Sequence, residues 1–214
     1  MKMRIISMLT PLLEKIALYS PGLFRLQKRY YEEIVGREIV LGSITEKDTV
    51  LCIGGGPLPC TALEIAKRTG AIVHVIDSDL GAVYSARKFV HKLNLSNQVK
   101  IFCAQGQTID TSSYSVVHVA LQAKPHDLIL KNIWRKAKEG TRVLLRCPDI
   151  SSFKSLFEQE KNPYCSACTL IEQKSATLKG TVLLQKGREN LEKNVAVYRG
   201  SGYSREPVLV GTYR

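Results

Sequence analysis

Hydrophobic positions along this chain follow two rhythms, and the rhythm changes at Thr49. Before it, Leu23, Leu26, Tyr30 and Ile34 recur at helical spacing with charges between them. Thr10-Pro11 and Ser20-Pro21 each supply an N-cap with proline at the first helical position. Residues 1–45 are therefore expected to form a helical cap, closed by Gly42 and Ser43. From Thr49 onward, short apolar runs alternate with helical stretches. Val50–Ile53, Ala71–Ile76, Val99–Cys103, Ser115–Leu121 and Arg142–Cys147 read as buried strands. Thr61–Arg68, Leu80–Leu93 and Asp127–Lys138 read as the helices between them. This alternation with short connections predicts an α/β domain, Rossmann-like, with a mostly parallel, doubly wound sheet.

After Cys147 the alternation stops. Ser151–Glu160 reads as a helix, and Thr169–Lys174 with Gly180–Gln185 as an antiparallel hairpin on the C-terminal edge of the sheet. Val195–Tyr198 and Pro207–Val210 fit either two more short strands or a tail used in a homodimer contact. The expected divisions are a helical cap at 1–45, a Rossmann-like ligand-binding domain at 46–188 and a β-rich extension at 189–214.

The 214 residues suffice for one such domain with a real core. No apolar run reaches the roughly 18 residues of a membrane span, so no membrane association is expected. Lys2 and Arg4 precede only a short apolar stretch broken by Thr10-Pro11, which reads as a helix leader and implies a cytoplasmic protein. Cys52, Cys60, Cys103 and Cys147 lie in or beside apolar strands, as small buried hydrophobes do in a reducing compartment. The net charge of +12 is spread along the chain, with no dense basic block. A nucleic-acid footprint would be clustered, so nucleic acid is disfavoured as a partner.

Chemistry concentrates where the first strand runs into Gly54-Gly55-Gly56-Pro57-Leu58-Pro59 and then a helix. Glycines let a ligand approach the backbone and offer bare N–H donors, and the helix start favours an anion. A dinucleotide fingerprint would need glycine where Pro59 stands, and no Gly-Lys-Ser/Thr follows for a phosphate loop. The second strand ends at Asp77-Ser78, with Asp77 placed 23 positions after Gly54, close to the interval separating such loops from a ribose-binding carboxylate. Asp79, directly before Leu80, suits an N-cap. Gly106 and Gln107 follow the third strand, where a glutamine can read an adenine edge, and Ala120 and Leu121 end the fourth.

Weaker signals carry less. Cys165 and Cys168 have the spacing of a metal knuckle, but no second pair or spaced histidine completes four ligands, so no metal is expected. His118 reads as a hydrogen-bonded core residue, and His126, beyond the fourth strand, as a candidate base. Lys131, Arg135 and Lys138 read as a solvated helix face. No Asn/Asp-Pro-Pro-aromatic sequence follows the fourth strand.

Together these pieces resemble the class I S-adenosylmethionine-dependent methyltransferases, and within them the nicotianamine synthases, short archaeal-type ones above all. Tyr31–Gly42, Ile53–Thr61, Val75–Asp79 and Val116–Leu121 continuing into Arg142–Arg146 carry the likeness, over about residues 30–150. The resemblance implies S-adenosylmethionine as cofactor, held by Gly54, Gly55, Gly56, Pro57, Leu58, Asp77, Ser78, Gly106, Gln107, Ala120 and Leu121. Nicotianamine synthases move the 3-amino-3-carboxypropyl arm of that cofactor and release methylthioadenosine. A family tyrosine precedes the glycine loop by the interval that separates Tyr31 from Gly54, which makes Tyr31 a candidate pocket residue. The family glutamate lies well upstream, where this chain offers only Glu14. Glu32, Glu33 and Glu38 are alternatives, with surface charge as the plain reading of each. Tyr31, Glu33 and His126 are thus the catalytic candidates. The expected function is transfer from S-adenosylmethionine to a small-molecule acceptor, an amine. Methyl transfer stands first, aminocarboxypropyl transfer second, and a non-catalytic cofactor-binding module third.

Overall fold

A computed structural model describes residues 21–148, 168–173, 178–187, 194–198 and 208–212. The expected cap start at Thr10-Pro11, the helix at Ser151–Glu160 and Cys165 lie outside the described residues. The chain order is α1 (Pro21–Leu41), β1 (Thr49–Ile53), α2 (Cys60–Thr69), β2 (Ile72–Asp77), α3 (Leu80–Lys92), β3 (Val99–Cys103), β4 (Val116–Val119), α4 (His126–Lys136), β5 (Arg142–Cys147), β6 (Cys168–Glu172), β7 (Gly180–Gln185), β8 (Asn194–Tyr198) and β9 (Val208–Thr212).

The strands form one sheet in the order β3-β2-β1-β4-β5-β7-β6-β8-β9. The first five run parallel, and β7 returns antiparallel beside β5 and β6, as the expected hairpin requires. The C-terminal edge is mixed, because β8 pairs parallel with β6 and β9 antiparallel with β8.

The central strands β1, β4 and β5 are covered on both faces and read as near-continuous apolar runs, whereas the edge strand β3 alternates buried and exposed positions. One face carries Val50, Cys52, Val73, Val75 and Val116 against Val35 of α1, Leu63 and Ile65 of α2 and Val83 and Val90 of α3. The other carries Leu51, Ile53, Val117, Val119, Val143 and Leu145 against Ile129, Leu130 and Ile133 of α4. Each fully buried Val, Leu or Ile contributes about 1.5–3 kcal/mol of transfer free energy.

Helix ends follow local chemistry. Gly70 closes α2 in the left-handed conformation and returns its N–H to Ala66. Asp79 caps α3 as its sequence position implied, its carboxylate accepting the Gly81 N–H at 2.8 Å. Many boundaries shift from expectation by one or two residues, and the ends of β4 and α4 are the informative ones. Strand β4 stops at Val119, two residues early, because the chain bends at Ala120 toward a turn closed by Ala123. His126 opens α4 where a loop residue was expected, and Ala137, in extended conformation, ends that helix at Lys136.

Candidate functional site

In an open parallel sheet, ligands lie beyond the carboxyl ends of the strands where the order reverses. Here that point falls between β1 and β4, and a cleft of about 320 Å³, including space open to solvent, lies there. Its lining comes from Tyr31 on α1, Cys52 and Ile53 of β1, the loop residues Gly54, Gly55, Leu58 and Pro59, and the α2 start at Cys60–Ala62. Val75, His118, Ala120, Gln122 and Arg146 complete it.

The glycine loop is shaped by packing and torsion. Gly54 holds φ +84°, open to glycine at no steric cost. A Cβ on Gly55 would stand 2.1 Å from Val75 Cγ1, so only a bare α-carbon lets the loop lie against β2. The loop amides are not bare donors, contrary to the sequence reading. Gly54 and Gly55 donate to the Ile76 carbonyl at 2.9 and 3.2 Å. Gly56 donates to Asp77 Oδ2 at 2.8 Å. Close packing against β2 is what turns these donors inward.

Asp77 sits half-buried at the tip of β2. Its other oxygen accepts the Asp79 N–H at 3.0 Å, and a carboxylate has about four acceptor positions, so capacity for hydroxyl donors remains. Ser78 is exposed beside it. Pro57 and Leu58 are buried, and Leu58 packs with Cys60 against Tyr31. Gly106 is buried against Ile53 and Ile129, with its carbonyl taking the Asn132 amide at 3.1 Å. The Gln107 amide bonds Gln105 at 3.0 Å. Ala120 reaches the cleft wall, whereas half-buried Leu121 is not part of the lining.

The catalytic candidates separate. Tyr31 faces the cleft. Glu33 is exposed and paired with Arg37 at 2.7 Å, outside the lining. His126 Nε2 donates to the Ala120 carbonyl at 3.3 Å, and burial holds its pKa below the ordinary histidine value. It too lies outside the lining.

Beneath the cleft is a polar network that the sequence reading missed. Glu38, read as surface charge, is fully buried. Arg146 donates to it from Nε at 2.8 Å and from Nη2 at 2.7 Å. Thr181 donates to the same carboxylate at 2.8 Å, and His118 Nε2 at 3.2 Å. Burial alone would raise the Glu38 pKa, but Arg146 and His118 outweigh it and hold the carboxyl well below the usual range. Burial likewise lowers His118, which is neutral near pH 7, in keeping with its expected core role. The Arg146 guanidinium stands 5.5 Å from the centre of the Tyr31 ring. Cys52 in the cleft floor has its thiol pushed up to about 12 by burial, so it is no nucleophile at neutral pH.

The signal for this network was in the sequence. Glu38 lies in register with Tyr31 and Val35 on the inward stripe of α1, and His118 and Arg146 each interrupt an apolar strand. Buried ionisable groups need partners, and three such interruptions satisfy one another.

Strand order, the switch-point cleft and the acid at the tip of β2 define an S-adenosylmethionine-dependent methyltransferase-like fold of class I. Among solved structures the chain is similar to the nicotianamine synthase MtNAS. A mutant of that protein aligns at TM-score 0.67 and 20% identity, over 84% of this chain and 70% of the other. The MtNAS complex with MTA and tNA aligns at TM-score 0.63 and 22% identity, over 82% and 69%. An RNA methyltransferase from Salinibacter ruber in complex with S-adenosyl-L-homocysteine aligns at TM-score 0.58 and 18% identity, over 74% and 93%. Among curated proteins, L-histidine 2-aminobutanoyltransferase of Yersinia pestis is 27% identical over 127 residues, 55% of this chain. The match spans about half, 48%, of that relative. No protein-family model matches the chain. Among the described residues, no helix is long and apolar enough to cross a membrane.

Proposed function

We propose that this chain is an S-adenosylmethionine-dependent transferase that moves the 3-amino-3-carboxypropyl group onto the amine of a small amino acid of the histidine type. The observation that carries this reading is the convergence of Tyr31 with Gly54 and Gly55 in one cleft at the switch point. The sequence likeness to a histidine 2-aminobutanoyltransferase supports the reaction class and the acceptor. It reverses the order reached from sequence alone, in which methyl transfer stood first.

The residues fit the cosubstrate. Gly54 and Gly55 let it approach the backbone, and Asp77 has acceptor capacity for ribose hydroxyls beyond its bonds to Gly56 and Asp79. Gly106 and Gln107 border the side on which adenine would lie. When bound, S-adenosylmethionine supplies a carbon made electrophilic by the adjoining sulfonium. Tyr31 walls the acceptor side of the cleft, while Leu58, Val75 and Ala120 are buried apolar groups that keep water from the nucleophile. Alignment in a dry pocket supplies much of the rate in such transfers.

The test is incubation with S-adenosylmethionine and L-histidine, followed by product analysis. Methylthioadenosine is the expected product. S-Adenosylhomocysteine would replace this reading with methyl transfer. Binding with neither product, across a panel of amine acceptors, would favour a non-catalytic module.

A further inference from the structure

The cleft needs a group to hold a carboxylate, and the usual supplier is already committed. The amides of Gly54, Gly55 and Gly56 point to Ile76 and Asp77 within the protein. Among the described lining residues Arg146 alone carries a charge at neutral pH, with His118 neutral. Arg146 is buried, its side chain only 7% exposed. It meets Glu38 along one edge of the guanidinium, through Nε and Nη2. A guanidinium has five N–H donors in a planar fork. The two Nη1 donors and the outer Nη2 donor take no acceptor among the described residues, and Arg146 belongs to the cleft lining with its guanidinium 5.5 Å from the Tyr31 ring centre. Thr181 and His118 hold Glu38 from its other sides, so the fork cannot turn without stranding a buried carboxylate.

We infer that the free end of Arg146 anchors the carboxylate of an amino-acid group inside the cleft, with Glu38 as the residue that positions it. This rests on the transferase reading above and adds a specificity residue to it. Because Glu38 already neutralises the arginine, the site offers donors without a net positive charge. A ligand carrying its own ammonium or sulfonium beside the carboxylate suits it, and a free inorganic anion does not. Two sources share that chemistry, the methionine end of S-adenosylmethionine and the acceptor amino acid.

Substitution of Arg146 by lysine keeps a charge for Glu38 and removes the fork. A second variant, E38Q/R146Q, keeps a hydrogen-bonded pair without burying a lone charge, and guards against misfolding of the first. Both are checked for folding by circular dichroism. Binding by calorimetry then compares S-adenosylmethionine with its decarboxylated form, and L-histidine with histamine. A loss of about 10-fold or more for one carboxylate-bearing member, with its decarboxylated partner changed less than about 2-fold, supports the anchor and identifies which carboxylate it holds. Equal losses within both pairs, or no loss in either folded variant, overturn it. Wild-type protein that binds none of the four compounds overturns the transferase reading and this inference together, a result distinct from normal binding that ignores Arg146.

Discussion

Glu38 of α1 and Arg146 of β5, 108 positions apart, meet in two charge-assisted hydrogen bonds of 2.8 and 2.7 Å with both side chains buried. Such a pair contributes little net stability relative to apolar residues of like size, but breaking it from one side leaves a charge with no solvent and no partner. Glu38→Ala is therefore expected to cost about 3–5 kcal/mol in urea denaturation. That is a large share of a domain's total of about 5–15 kcal/mol. A loss below about 1 kcal/mol would contradict the buried pairing.

The same pair sets an acid dependence. Glu38 and Asp48 both have folded pKa values below their unfolded ones, Asp48 because its bonds to Thr45, Ser115 and Arg142 outweigh burial. The unfolded chain then binds more protons, so their stabilisation is full above about pH 4.3 and lost as pH falls toward the folded values. His118, lowered by burial, adds a loss that starts below about pH 6.5. Urea midpoints measured from pH 8 to pH 4 should fall in two stages, and His118→Gln should shrink the first stage, to which His74 and His126, also lowered by burial, contribute. A flat profile would refute the buried, neutral state of His118.

Asp77 has two roles that one substitution separates. It accepts N–H bonds from Gly56 and Asp79, and it is the proposed ribose acceptor. Asp77→Ala is expected to weaken S-adenosylhomocysteine binding by about 1–3 kcal/mol, the scale of a lost charged hydrogen bond. Asp77→Asn keeps an acceptor for only one of the two amides, so it should lower the thermal midpoint less than Asp77→Ala while still losing affinity. Unchanged dissociation constants in both variants would take Asp77 out of the site.

Gly55→Ala is expected to destabilise the fold by about 1–3 kcal/mol, since its methyl would overlap Val75 Cγ1 in a core without slack. Val75→Ala in the same chain should recover part of that loss, because the two changes share one space. Purely additive effects on the melting temperature would indicate that the loop does not pack on β2 as described.

Much of the architecture was legible because strands, whether covered on both faces like β5 or on one like the edge strand β3, stand out as short β-rich runs between helical stretches. Val99–Cys103, Arg142–Cys147 and Gly180–Gln185 match their expected bounds. The end of β4 was harder to read, since Ala120 and Leu121 are apolar yet lie past the strand, Ala120 in the cleft wall and Leu121 outside it. Glycine at 54–56 marked the loop correctly but misled on its amides, whose direction depends on how β2 packs. Glu38 was missed because helix charges are usually solvated. Its partner lies on a strand far along the chain, and only the sheet order brings the two together.

One helix both walls the cleft with Tyr31 and plugs the core with Glu38, two turns apart on the same stripe. Sliding α1 by a single turn, about 5.4 Å, would withdraw the aromatic ring and orphan the arginine in one movement. The mouth of this pocket is thus fastened to the keel of the protein. If the cleft takes the proposed acceptor, variation in its choice would come from side chains around Tyr31, because the helix itself has no second berth.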